Sequence, residues 1–126
     1  LSLDRLTADG IDPPDAMRRL ADWVDGVAAP QQRPLFVALN APFDWMFVAG
    51  YLHRYVGRNP FGHSALDLKA LYMGVAGVPW SETTIGHMAA RYGLSVELPH
   101  HALHDAVIQA AVFRRILAEH EDRPMG

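Results

Sequence analysis

The chain has no cysteine, which excludes disulfides and thiolate metal sites and suits a reducing cytoplasm. No apolar run approaches the ~20 residues that cross a bilayer. Nor do the opening residues combine the basic, apolar and small segments of a secretory leader. A cytoplasmic setting without a membrane partner is therefore expected. Lysine is nearly absent: ten of the eleven basic residues are arginine, whose planar fork suits phosphates. There is no excess of positive charge either. The formal net charge is -3, whereas proteins that coat long nucleic acid tracts by counterion release are usually basic. A nucleic acid partner would be gripped at a short end. The chain also lacks an initial methionine and opens on Leu1.

What is present is an ordinary globular composition, 50% apolar and 20% charged over 126 residues, the length of one domain. Residues 1–126 are read as a single domain, with no repeat or long linker. The first ten residues read as polar and unsettled. Asp12-Pro13-Pro14-Asp15 predicts a helix start, with Asp12 as cap, Pro13 at the first position and Asp15 at the positive end of the dipole. That helix should end near Gly26 or Ala29. Leu35–Leu39 is a continuous apolar run, as in a strand buried on both faces. Asn40-Ala41-Pro42 ends it, and a helix is expected from about Phe43 or Asp44 to Tyr55. Ala65–Leu68 reads as a short strand or the start of another helix. Ser81 or Thr83 is expected to cap a short helix that Gly93 ends. The last helix is expected from Ala102 to His120. Its main apolar stripe is Leu103, Ala106, Val107, Ala110, Phe113 and Leu117, with a second row at Ile108, Val112 and Ile116. These elements imply an α/β architecture, yet only one strand is convincing.

Three segments hold residues that can do chemistry. Asp44 stands just beyond a buried strand, where α/β folds bind ligands; the structural alternative is a helix cap. Asp105 lies in the first turn of the last helix, preceded by His100, His101 and His104. Carboxylates suit hard divalent ions, and an imidazole titrating near neutrality can take a proton from water. A capping aspartate with solvated histidines, or a histidine-based zinc site, are the alternatives. Asp67, set among apolar residues, reads as a hydrogen-bonded structural carboxylate, with metal contact as the lesser option.

Taken in order, these segments resemble the DEDDh (DnaQ-like) 3′–5′ exonuclease family. Asn40-Ala-Pro-Phe-Asp44 resembles the family's second motif. His100-His-Ala-Leu-His-Asp105 resembles the third, a histidine followed five residues later by an aspartate. Ala65-Leu-Asp67-Leu-Lys-Ala resembles the segment between them. The resemblance covers residues 35–118, about two thirds of the chain. It implies a ribonuclease H-like exonuclease fold and two ions, Mg2+ or Mn2+. Asp44 and Asp105 would be metal-linked, and His100, chosen over His101 and His104 by the motif's spacing, would be the general base. Asn40 belongs to the motif and is assigned to substrate binding. Phe43 would touch the terminal nucleotide, with a core phenylalanine as the alternative. The substrate would be a single-stranded or frayed 3′ end of DNA or RNA, released as nucleoside 5′-monophosphates. Oligomeric state is left open, a homodimer included.

One departure is large. The family's first motif, an Asp-x-Glu on the first strand, has no counterpart here. The acids before residue 35 (Asp4, Asp9, Asp12, Asp15, Asp22 and Asp25) lie on no apolar run. The first strands and this motif are therefore expected upstream of Leu1, and the chain by itself is expected to be a weak nuclease. The rival reading is a non-catalytic ribonuclease H-like module that binds a nucleic acid end or a protein.

Overall fold

The computed structural model describes residues 2–96 and 102–122. Its elements are helices α1 (Leu3–Asp9) and α2 (Pro13–Val27), strand β1 (Phe36–Ala38), helix α3 (Ala41–Val56), strand β2 (Ala65–Asp67) and helices α4 (Leu68–Ala76), α5 (Ile85–Arg91) and α6 (Ala102–Glu121). A 3-10 turn, Trp80–Glu82, precedes α5. The architecture is mixed α/β, with β1 and β2 paired in a small parallel sheet. The segment read as a short strand or a helix start is both: β2 is three half-exposed residues that run straight into α4 at Leu68. The described residues divide into two compact units. One lies within Leu1–Phe36 and Pro42–Ala65, the other within Val37–Ala41 and Leu66–Gly126.

In the first unit, residues 3–9 form a helix where the sequence suggested none. Ser2 explains it: its hydroxyl accepts the N–H of Arg5 at 3.3 Å, and Asp4 stands in the positive first turn. Asp12 occupies the cap position of α2 but makes no side-chain cap bond. The two prolines at the start of α2 have no N–H to satisfy, so a side-chain cap has less to do there. Ala21 and Val24 of α2 and Leu52 of α3 are buried. Phe36, Trp45 and Phe61 form a ring cluster, with Phe36 5.3 Å from Trp45 and 5.4 Å from Phe61. Arg58 ion-pairs with Asp25, joining the loop after α3 to the last turns of α2.

The second unit has a continuous core. Leu68, Tyr72 and Val75 of α4, Met88 of α5, and Ile108, Val112 and Ile116 of α6 are buried together. Val37 and Leu39 pack against them. Gly77 ends α4 in the left-handed conformation at φ 66° and returns its N–H to the Met73 carbonyl. Thr84, not Ser81 or Thr83, caps α5 by accepting the His87 N–H at 3.3 Å. Thr83 is instead fully buried. Arg91 and Tyr92, at the end of α5, both bond the Glu119 carboxylate of α6, at 2.6 and 2.8 Å.

Helix α6 inverts the expected ranking of its two apolar rows. Ile108, Val112 and Ile116 carry the core, whereas Leu103 is 69% and Val107 58% exposed. Ala106, Ala110 and Phe113 line an open cavity of about 170 Å³ with Val37 and Leu68. The β-branched row wins because it faces α4 and α5, which the sequence could not orient. Ile116→Ala is therefore expected to cost about 2–5 kcal/mol in urea unfolding. Leu103→Ala should stay within about 0.5 kcal/mol of the parent; equal losses would contradict this packing.

The Tyr92 phenol is pushed above its ordinary value of 10.0, first by burial and then by its bond to Glu119. The folded state thus holds this proton where the unfolded state releases it. The resulting stability is complete below pH 10.0 and is lost as pH rises beyond it. Tyr92→Phe should cost about 1 kcal/mol at neutral pH. Its stability should then fall less steeply than the parent's above pH 10.0, read from urea midpoints across alkaline pH.

Candidate functional site

The carboxylate best defined by its contacts is Asp67, at the end of β2. One oxygen accepts the N–H of Ala41, the first residue of α3, at 2.6 Å. The other accepts the N–H of Ala70 at 2.8 Å and caps α4. Helix starts leave several N–H groups without intrahelical partners, and one charged side chain satisfies two of them here. Both oxygens of Asp67 are thus committed to backbone.

Between β1 and α3 the chain turns through Asn40, whose φ is 61°. Few residues other than glycine tolerate this left-handed conformation, and asparagine is prominent among them. Asn40 therefore has a backbone reason for its identity, while its side chain is exposed. On the other side of the turn, the N–H of Leu39 is received by Gln109 Oε1 of α6 at 2.9 Å. Sequence reasoning missed Gln109. A lone polar residue beside an apolar helical row was the only sign that something buried there needs an acceptor.

Asp44 and Asp105 both stand in the first turn of a helix, α3 and α6 respectively, where the dipole favours negative charge. Asp44 is the fourth residue of α3, beyond the cap position, so the capping alternative does not describe it. Its side chain is exposed, and that of Asp105 is half-buried. Neither has a hydrogen-bond or ion-pair partner among the described residues. Asp44 belongs to the first unit, and Asp105 belongs to the second. Phe43, next to Asp44, is 59% exposed and sets its ring edge-to-face with Phe47, centroids 5.3 Å apart. It is not a core residue. His100 and His101 lie outside the described residues. His104 is described, and its Nε2 is buried with no hydrogen-bond partner among the described residues.

Asp44 and Asp105, each taken by itself, carry carboxylate oxygens of the kind that suits a hard divalent ion, and no donor among the described residues occupies them. Among the described residues, no three of His, Cys, Asp and Glu gather closely enough to hold a metal. No described helix is long and apolar enough to cross a membrane.

The chain is 43% identical over 116 residues to the 3′-5′ DNA exonuclease Cap18 of Escherichia coli. The alignment covers 92% of this chain but 62% of that protein. An exonuclease thus stands among the chain's relatives, and the chain spans less than two thirds of its length. No protein-family model matches the chain.

Asp67 yields a direct test. Asp67→Ala strips both helix starts of their acceptor and should cost about 2–4 kcal/mol in denaturant unfolding. Asp67→Asn keeps one acceptor oxygen and should cost about half as much, since its amide cannot receive the second N–H. Loss of metal binding with unchanged stability in Asp67→Ala would instead make this carboxylate a ligand.

Proposed function

We propose that the chain carries part of a metal-dependent 3′–5′ exonuclease of ribonuclease H-like fold, acting on a single-stranded or frayed 3′ end and releasing nucleoside 5′-monophosphates. The observation that carries this reading is the 43% identity to a 3′-5′ DNA exonuclease over 116 residues. DNA is accordingly the first substrate to test. The free carboxylates of Asp44 and Asp105, each in a helix's first turn, support it.

In this reading Asp44 and Asp105 hold Mg2+ or Mn2+. Bound divalent ions supply Lewis-acid stabilisation of the charge on the phosphate and the departing 3′ oxygen. His100 takes the proton from the attacking water at an imidazole nitrogen, a role suited to a group that titrates near neutrality. The exposed Phe43 ring stacks on the terminal base, and an aromatic face accepts any base. Two carboxylates are few for a pair of ions, so the reading calls for further acids beyond these two, and the chain alone should be weak. The absence of a cysteine suits the same chemistry in a reducing cytoplasm. A second reading, a non-catalytic module that binds a nucleic acid end or a protein, draws on the lack of an Asp-x-Glu counterpart in the sequence.

Two measurements test the proposal. Calorimetry should show Mn2+ binding by the chain that Asp105→Ala abolishes. Incubation with 3′-labelled single-stranded DNA and Mn2+ should release labelled mononucleotide slowly. Asp44→Asn and Asp105→Asn should each reduce that release by about 100-fold or more. Release that is indifferent to both substitutions would exclude these residues as the metal ligands. Metal-independent strand binding without hydrolysis would favour the non-catalytic module.

A further inference from the structure

Trp80 is the least expected side chain on the second unit's surface. It begins the 3-10 turn Trp80–Glu82 that packs beside α4. The turn is fixed from beneath. Buried Thr83 donates its hydroxyl to the Trp80 carbonyl at 2.7 Å, and its N–H reaches the same oxygen at 3.1 Å. Pro79 restricts the backbone on the other side. The main chain is held, yet the indole is 51% exposed. Lys69, from the first turn of α4, places Nζ 4.1 Å from the centroid of this ring. It is the only lysine in the chain. Met73, one helical turn beyond Lys69 and also exposed, extends the apolar margin on the same side of α4.

We propose that Trp80 and Lys69 form a binding platform for a nucleotide of single-stranded nucleic acid. The base stacks on the indole, and the Lys69 ammonium pairs with a neighbouring phosphate. The proposal rests on the nucleic acid reading above and adds a subsite to the one assigned to Phe43. A flat aromatic face accepts any base, as an enzyme that steps along a strand requires. The ammonium matches phosphate charge on a protein that is otherwise net negative. The backbone of the turn is already ordered, which lowers the entropy lost on binding. Lys69 follows Asp67 by two residues, so its side chain rises from the α4 start that Asp67 caps.

The test is anisotropy of a 5′-fluorescein oligothymidylate titrated with the full chain in EDTA, where hydrolysis cannot proceed. Trp80→Ala should weaken binding about tenfold, the effect of losing one stacked base, and Trp80→Phe should restore most of it. Lys69→Gln should flatten the slope of log K against log salt by about 0.7, one phosphate's worth on a single strand. The platform is overturned if the parent chain does not bind the strand, or if all three variants bind like the parent with an unchanged salt slope. Should Trp80→Ala fail to fold by circular dichroism, the salt slope of Lys69→Gln decides the matter. Trp80-dependent binding without any Mn2+-dependent hydrolysis would sink the exonuclease reading alone. Hydrolysis with binding indifferent to Trp80 and Lys69 would sink the platform alone.

Discussion

One carboxylate, Asp67, accepts the first N–H of α3 and an N–H in the first turn of α4. Helix starts hold N–H groups that the helix itself cannot satisfy, and leaving them unmet away from water is costly. A charged acceptor shared between two starts answers that need at both. It also ties the end of β2 to the residue where the chain leaves β1. Asp44 follows three residues after Ala41 on the same helix, and Lys69 follows two residues after Asp67. Asp44 and Lys69 thus stand on helices whose first turns donate a hydrogen bond to this carboxylate.

A second constraint is the geometry of α6. The helix is apolar on much of its circumference, but Ile108, Val112 and Ile116 are the side chains it buries in the core with α4 and α5, with Phe113 half-buried against them. The remaining apolar residues line an open cavity or meet solvent. Gln109 lies between these faces and receives the Leu39 N–H. One helix therefore anchors the core, completes the hydrogen bonding of a strand end and presents Asp105 from its first turn.

The groups assigned to metal differ from Asp67 in what they touch. Asp67 spends both oxygens on backbone, whereas Asp44 and Asp105 meet no donor among the described residues. That contrast separates a structural carboxylate from free ones more clearly than residue type does, since all three are aspartates near a helix start. Trp80 and Lys69 add a cation and an exposed aromatic ring on an anchored turn, chemistry that suits a nucleic acid strand without requiring a basic protein.

Apolar spacing, a continuous apolar run and proline located α2, β1, α3 and α6 to within a few residues, because these signals act locally. They also identified Asp44, Asp105 and Asp67 as the acids set beside apolar elements. They missed α1, where one serine cap sufficed, and they left β2 undecided, because three half-exposed residues carry too little pattern. The left-handed turn at Asn40 was legible only as an asparagine after a strand. The partners of Asp67, the acceptor role of Gln109, the buried row of α6 and the Lys69–Trp80 pair join residues from different elements. Such contacts depend on how elements pack, and side chains with equal hydropathy or charge are equivalent until a neighbour is placed against one of them.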